Sequence, residues 1–319
     1  MRFRLYIQWL LLTFLFTVFF SFLLLKKPKI ESKTTTPTIE QRVSSPSPWK
    51  KVTKSLAELG KMDEVNKYVL FLNHVPKCGS EILILLLQKL QGFNNFRHIR
   101  LKGGNGKYMT NLEQEYLVYD IYDTIKSEAV PLSFDRHVYF INFTQFDKQF
   151  PTYINFIRNP VEKVISRMLY KNKEFKYDYY YKCLMSKQNN CNFRNGQTYD
   201  LSIPYFCGHN PRCMVLNSTW ALQIAKNNVV RYFPVVGVLE EMNATLKILE
   251  NKIPYFFKGA TKVYENDLLN IPKYGKPKIS MIVRRKLEES LVDEIDFYNW
   301  IKARLFKQLK IIYTEHTFH

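Results

Sequence analysis

The chain has 319 residues, with 47 Lys and Arg against 28 Asp and Glu, for a formal net charge of +19. That length suits one sizeable α/β domain, and a balance this basic favours polyanionic partners. The charge is scattered rather than gathered into a run, so a generic basic surface is the competing account, and no internal repeat is visible.

Leu5 to Leu25 carries no charged residue and is rich in Leu and Phe, enough to span a bilayer as a helix. A cleaved signal peptide is the alternative, but its apolar core would be shorter and no small-residue cleavage site follows. The expected organisation is a tail of residues 1–4, a retained signal anchor at 5–25, a stem at 26–64 and a domain over 65–319. Arg2 and Arg4 before the span and Lys26, Lys27 and Lys29 after it leave its orientation open. Pro28 to Pro48 is rich in Pro, Ser and Thr, as a flexible stem would be.

Tyr68 to Leu72 is a short apolar run of strand type, and Pro76 forces an extended chain at Val75. Gly79 allows a close turn, and Ser80 can cap a helix expected over Glu81–Leu90. Such a loop aims free N–H groups at one spot beside the positive end of a helix dipole, and Lys77 adds a full charge. The pattern describes an anion cradle, against the plain reading of a strand–turn–helix. The Walker order is absent because Lys77 precedes the glycine, which disfavours an ordinary ATPase or GTPase.

Arg100, Lys102 and Lys107 could meet an acidic ligand or be solvated charge, and Gly103-Gly-Asn-Gly106 reads as a flexible turn. His137 stands beside an apolar, strand-like run that reaches the sequon at Asn142. Its neutral imidazole can accept a proton near pH 7, although a structural histidine is the plain reading. A second strand is expected over Tyr153–Ile157, ending at Arg158, with Pro160 suited to the first turn of a helix over Val161–Tyr170. Arg158 offers a planar fork for phosphate, and the hydroxyl of Ser166 can complete the contact. Two anion sites at strand ends of one sheet imply a ligand with two separated anionic groups.

Further on, Lys171, Lys173, Lys176 and Lys182 form a basic group of the same ambiguous kind. Cys183 with Cys191 and Cys207 with Cys213 suggest two short-loop disulfides in an oxidising lumen, though four cysteines allow other pairings. A zinc site at Cys207, His209 and Cys213 is the rival. Asn142, Asn217 and Asn243 open glycosylation sequons. Further helices are expected over Ala244–Asn251 and Lys286–Leu309, the last as a closing helix or an oligomer contact.

The Pro-Lys-x-Gly-Ser loop followed by Arg-x-Pro-x5-Ser resembles the two nucleotide motifs of sulfotransferases that use 3′-phosphoadenosine 5′-phosphosulfate (PAPS). His74-Val-Pro-Lys-Cys-Gly-Ser80, Phe134-Asp-Arg-His-Val-Tyr-Phe-Ile-Asn-Phe143, Ile203-Pro-Tyr-Phe-Cys-Gly-His209, Val236-Gly-Val-Leu-Glu-Glu241 and Tyr255-Phe-Phe-Lys-Gly-Ala260 resemble the uronosyl 2-O-sulfotransferases. That family comprises the uronyl and heparan sulfate 2-O-sulfotransferases and the insect pipe-like proteins. The likeness runs in order from Tyr68 to Phe306 and includes both cysteine pairs.

The resemblance implies a three-layer α/β fold with a mainly parallel sheet, similar to P-loop nucleotide-binding folds. It implies that Lys77 and the backbone of Cys78, Gly79, Ser80 and Glu81 hold the 5′-phosphosulfate, that Arg158 and Ser166 hold the 3′-phosphate, and that Tyr264 lies near the nucleotide. His137 would be the catalytic base and Lys77 would act at the leaving group, with no metal expected. The expected partners are sulfated glycosaminoglycan chains and the Golgi membrane, with a possible homo-oligomer (a trimer by likeness) and no nucleic acid. Localisation would be the Golgi membrane as a single-pass type II protein with a luminal domain.

Departures from the family pattern are visible. Heparan-type relatives carry a second histidine two places before the base, where this chain has Asp135. Glu81 puts a carboxylate beside the donor loop, and Asn159 replaces the usual Asp of Arg-Asp-Pro. These two keep open a catalytically silent glycan-binding relative. A kinase would need a metal-binding acid near the loop, and no candidate for it stands out.

Overall fold

The computed structural model describes residues 64–103, 106–128, 130–170, 200–269 and 279–317. The expected span 5–25, most of the stem, the Lys171–Lys182 group and the Cys183/Cys191 pair lie outside the described residues. Among the described residues no helix is long and apolar enough to cross a membrane.

Five strands form one sheet: β1 (Asn66–Leu72), β2 (Arg97–Arg100), β3 (Leu132–Asp135), β4 (Pro151–Ile157) and β5 (Val235–Val238). Their order is β2-β3-β1-β4-β5, and every pairing is parallel. Consecutive strand side chains point to opposite faces, yet all of β3, β4 and β5 is buried. Both faces of the sheet are therefore covered, as in a three-layer α/β fold. The two strands anticipated from sequence each begin two residues earlier than expected, at Asn66 and Pro151.

The covering helices are α1 (Ser80–Asn94), α2 (Asn111–Ser127), α3 (Pro160–Tyr170), α4 (Thr219–Tyr232), α5 (Met242–Lys252), α6 (Met281–Ser290) and α7 (Val292–Thr317). Buried Leu83, Leu86, Leu87 and Leu90 recur at helical spacing and seat α1. At the start of α2, Thr110 and Glu113 form a reciprocal capping box.

The chain passes from β1 out to β2, returns to β3 beside β1, and then crosses to β4 on the other side of β1. Parallel strands end at one edge, so the loops after β1, β3 and β4 converge where the order reverses. That is the ligand crevice of open α/β sheets.

Two expectations are corrected. The helix expected over Lys286–Leu309 is two helices, broken at Leu291. No Pro or Gly marks the break. Asn217, from a distant loop, takes its free backbone groups: its amide donates to the Ser290 carbonyl at 3.0 Å, and its Oδ1 accepts the Asp293 N–H at 3.2 Å. The run after His137, expected as a strand, is not one. Val138, Phe140, Ile141 and Phe143 are buried in an aromatic core with Tyr153 and Phe233. The Tyr153 hydroxyl donates to the Ile141 carbonyl at 3.0 Å, and Asn142 caps a 3-10 turn over Phe143–Phe146.

Candidate active site

The loop after β1 is held by buried asparagines. Asn155 on β4 accepts the Val75 N–H at 3.2 Å and donates to the Asn73 carbonyl at 2.7 Å. Asn73 donates in turn to the Tyr205 carbonyl at 2.6 Å. The loop reverses through positive φ at both Lys77 (63°) and Gly79 (81°). Gly79 is favoured by its positive φ, and a Cβ there would also press on a Leu239 methyl 2.5 Å away, at the end of a side chain that can shift.

Gly79, not Ser80, is the N-cap of α1, and no side chain caps it. The Ser80 hydroxyl instead donates back to the Val75 carbonyl at 2.8 Å. The first N–H groups of α1 are thereby left without a side-chain acceptor, as an anion cradle requires. Cys78 is fully buried, and burial pushes its thiol up to about 12. Its side chain belongs to the core, leaving only its backbone for a ligand.

Lys77 and Arg158 meet across the strand ends, with the Arg158 guanidinium 3.4 Å from the Lys77 carbonyl oxygen. Burial first, then the charges of Arg167 and Arg158, lower the Lys77 ammonium to about 8. Such mutual repulsion is relieved by an anion bound among the three.

Asn159 does what an Asp would do there: its Oδ1 accepts the N–H groups of Val161 and Glu162 at 3.0 and 3.2 Å and so caps α3. Glu240, after β5, accepts the Asn159 N–H at 3.0 Å. Glu162 lies between Arg158 at 3.8 Å and Arg284 at 2.7 Å. Ser166 is half-buried on α3, further along the helix that Arg158 precedes.

Beside this loop lies a cleft of about 340 Å³, lined by His74, Pro76, Arg100, Gly103, Lys107, Asp135, Arg136, His137, Arg167 and Asp200 among others. Four of these are cationic and two are carboxylates. Asp200 bridges Lys107 and Arg167. A Cβ on Gly103 would lie 2.7 Å from Nε of the Arg136 side chain.

His137 lies at the mouth of β3, with Nδ1 2.9 Å from the His74 carbonyl oxygen. Only a protonated Nδ1 makes that hydrogen bond, so Nε2 carries the free lone pair. Partial desolvation, then the adjacent His74, push the His137 imidazole down to about 4, which keeps it neutral near pH 7.

Behind it the Asp135 carboxylate is 1% exposed and faces His74 Nε2 at 3.3 Å, His98 Nε2 at 3.1 Å and Arg100 Nε at 3.4 Å. Burial alone would raise Asp135; the close approach of His74 and His98 outweighs it and holds the carboxyl well below the usual range. Sequence reading gave none of His74, His98, Asn155 or Arg167 a role. Only His74 carried a signal, by standing inside the loop motif.

Glu81 is 70% exposed and meets Arg100 at 3.6 Å. Tyr264 is 6% exposed and packs into the main core. Cys207 and Cys213 are joined as a disulfide, and His209 Nδ1 accepts the Met109 N–H at 2.9 Å. The zinc alternative is thereby overturned, because both sulfurs are bonded to each other. Asn142 is half-buried with its Oδ1 on Thr144, Asn217 is exposed but bonded at the helix break, and Asn243 is exposed in the first turn of α5.

A sequence profile of the Sulfotransferase family matches residues 62–300. The uronyl 2-sulfotransferase homolog pip of Drosophila melanogaster is 30% identical over 276 residues, covering 75% of this chain and 52% of that protein. Human uronyl 2-sulfotransferase is 30% identical over 260 residues, covering 73% of this chain and 61% of its own. Heparan sulfate 2-O-sulfotransferase 1 of Gallus gallus is 29% identical over 280 residues, covering 82% and 75%. The chain thus spans roughly half to three fifths of the length of these two uronyl relatives. With the profile spanning the whole sheet and the site loops that leave it, the chain belongs to the sulfotransferase family.

Proposed function

We propose that this chain transfers the sulfuryl group of PAPS to the 2-hydroxyl of a uronic acid in a glycosaminoglycan. Dermatan and chondroitin sulfate are the favoured acceptors, and heparan sulfate is the alternative. The observation that carries the reading is a neutral His137 with a free Nε2, in a basic cleft beside an uncapped helix start, Lys77 and Arg158.

In this mechanism Lys77 and the first N–H groups of α1 hold the 5′-phosphosulfate, while Arg158 and Ser166 hold the 3′-phosphate. His137 Nε2 takes the proton of the acceptor hydroxyl as its oxygen bonds to sulfur. The bond from sulfur to the bridging phosphate oxygen breaks, and Lys77 with the loop dipoles stabilises the charge left on that oxygen. The products are the sulfate ester, 3′-phosphoadenosine 5′-phosphate and a protonated His137. Arg100, Lys107, Arg136 and Arg167 give the cleft its affinity for an acidic chain. We place the reaction in the Golgi lumen behind a signal anchor, in an oligomer like that of the family.

Both features that favoured a silent relative have structural accounts, Glu81 through its exposure and Arg100, Asn159 through its cap on α3. The test is transfer of labelled sulfate from PAPS to chondroitin, dermatan and desulfated heparan chains. Incorporation into at least one supports the proposal; donor binding with no transfer to any of them would establish the silent reading instead.

A further inference from the structure

The site keeps a second imidazole against the base, but from a different strand than the family pattern implies. The His74 and His137 rings lie with centroids 3.6 Å apart, His74 leaving the end of β1 and His137 following β3. Asp135, two places before the base, is buried beneath them, with His74 on one carboxylate oxygen and His98 on the other. His98 is fixed in turn by the Ser133 hydroxyl at 3.1 Å. The register explains the meeting: Asp135 pairs with Leu72 on one side and with Arg100 on the other, so side chains of three adjacent strand ends converge.

Burying a carboxylate and two imidazoles is costly, and apolar residues would hold three strands together at lower cost. A cluster with this composition, placed behind the proposed base, calls for an electrostatic explanation.

We propose that His74, Asp135 and His98 are positioning residues for His137: the Asp135 carboxylate, braced from behind by His98, fixes the His74 ring against His137, and its charge stabilises the imidazolium formed when His137 takes the proton. The backbone carbonyl of His74 holds the Nδ1–H tautomer, and its ring prevents His137 from rotating off that bond. Asp135 acts through an intervening imidazole because it does not touch His137 itself. Arg100, at 3.4 Å from Asp135, is the one partner shared with the solvent side of the cleft. A carboxylate charge near His137 raises its proton affinity, opposing the desolvation that lowers it.

This inference rests on His137 acting as the base of the proposed transfer, but one of its tests does not. In the full chain, Asp135→Asn keeps the shape and removes the charge. Its kcat should fall about tenfold, less than the ~10²–10⁴ that the general base itself supplies, with the donor KM and melting temperature near wild type. Nitrogen NMR of labelled histidine, with the His137 signal assigned by loss in His137→Gln, should show one Nδ1–H tautomer in the wild type and a mixture in Asp135→Asn. Wild-type kcat together with an unchanged tautomer would overturn the inference. If Asp135→Asn melts far below the wild type, His74→Leu replaces it, since it keeps the backbone carbonyl and apolar bulk. The same two changes are then expected, and full turnover with an intact tautomer overturns the inference. The tautomer needs no sulfate transfer, so an inactive wild-type chain would defeat the functional proposal and leave this one to the spectra.

Discussion

His137 has its Nδ1 committed to the His74 carbonyl, which leaves Nε2 as the atom able to accept a proton. Its replacement by Ala should cost ~10²–10⁴ in kcat with the fold and the donor KM retained, and near-wild-type turnover in a folded variant would exclude it as the base. The pH dependence follows from two lowered groups. His137 is active when neutral, so the rate should climb across the interval between about 4 and the ordinary histidine range and be complete by pH 7. Lys77 is active when charged, so kcat/KM for the donor should decline as pH rises through about 8. An anionic donor restores the ammonium, so kcat at saturation should resist that alkaline fall; an acid limb centred above 7 would contradict the assignment. Lys77 and Arg158 were legible in sequence because each sits in a local pattern of strand, turn and helix. Asn155 and His98 were not, and Asp135 stood out only as a departure from the family pattern, since their partners lie on other strands and only the parallel register brings them together.

At the scale of elements, what was legible followed local rules, and what was not followed contacts. Leu83, Leu87 and Leu90 announce α1 by their spacing, and Pro160 announces α3. The break at Leu291 carried no local sign because Asn217, remote in sequence, supplies its capping bonds. Asn217→Ala should therefore lower stability by about 1 kcal/mol, the usual worth of a capping side chain, read from the urea midpoint. No change in that midpoint would mean that the break is set by packing alone. Asn159 presents the converse case. Its departure from the family Asp looked damaging, yet amide and carboxylate offer the same acceptor oxygen to the N–H groups of Val161 and Glu162.

Across the whole molecule, one buried charge system ties the site helix to the closing helices. Glu294 on α7 accepts the N–H groups of Ser202 and Ile203 at 2.8 Å and faces Lys163 of α3 at 3.9 Å. Lys163 donates to the Ser202 hydroxyl and the Asp200 carbonyl at 2.6 Å. Glu294→Ala strands these groups in the interior and should destabilise the fold by about 3–5 kcal/mol, as breaking a buried pair does. A loss under 1 kcal/mol in urea unfolding would mean that water replaces the carboxylate. The net charge of +19 was readable at once and pointed to an acidic partner. Where that charge gathers was not readable, because the cleft cations come from a strand end, two loops and a helix that are distant in sequence. The most direct measurement for the central claim is disaccharide analysis of a glycosaminoglycan chain sulfated by this protein from labelled PAPS. The label should appear at the 2-position of a uronic acid and be lost with His137→Ala; label placed mainly on the 6-position of a hexosamine would contradict the account.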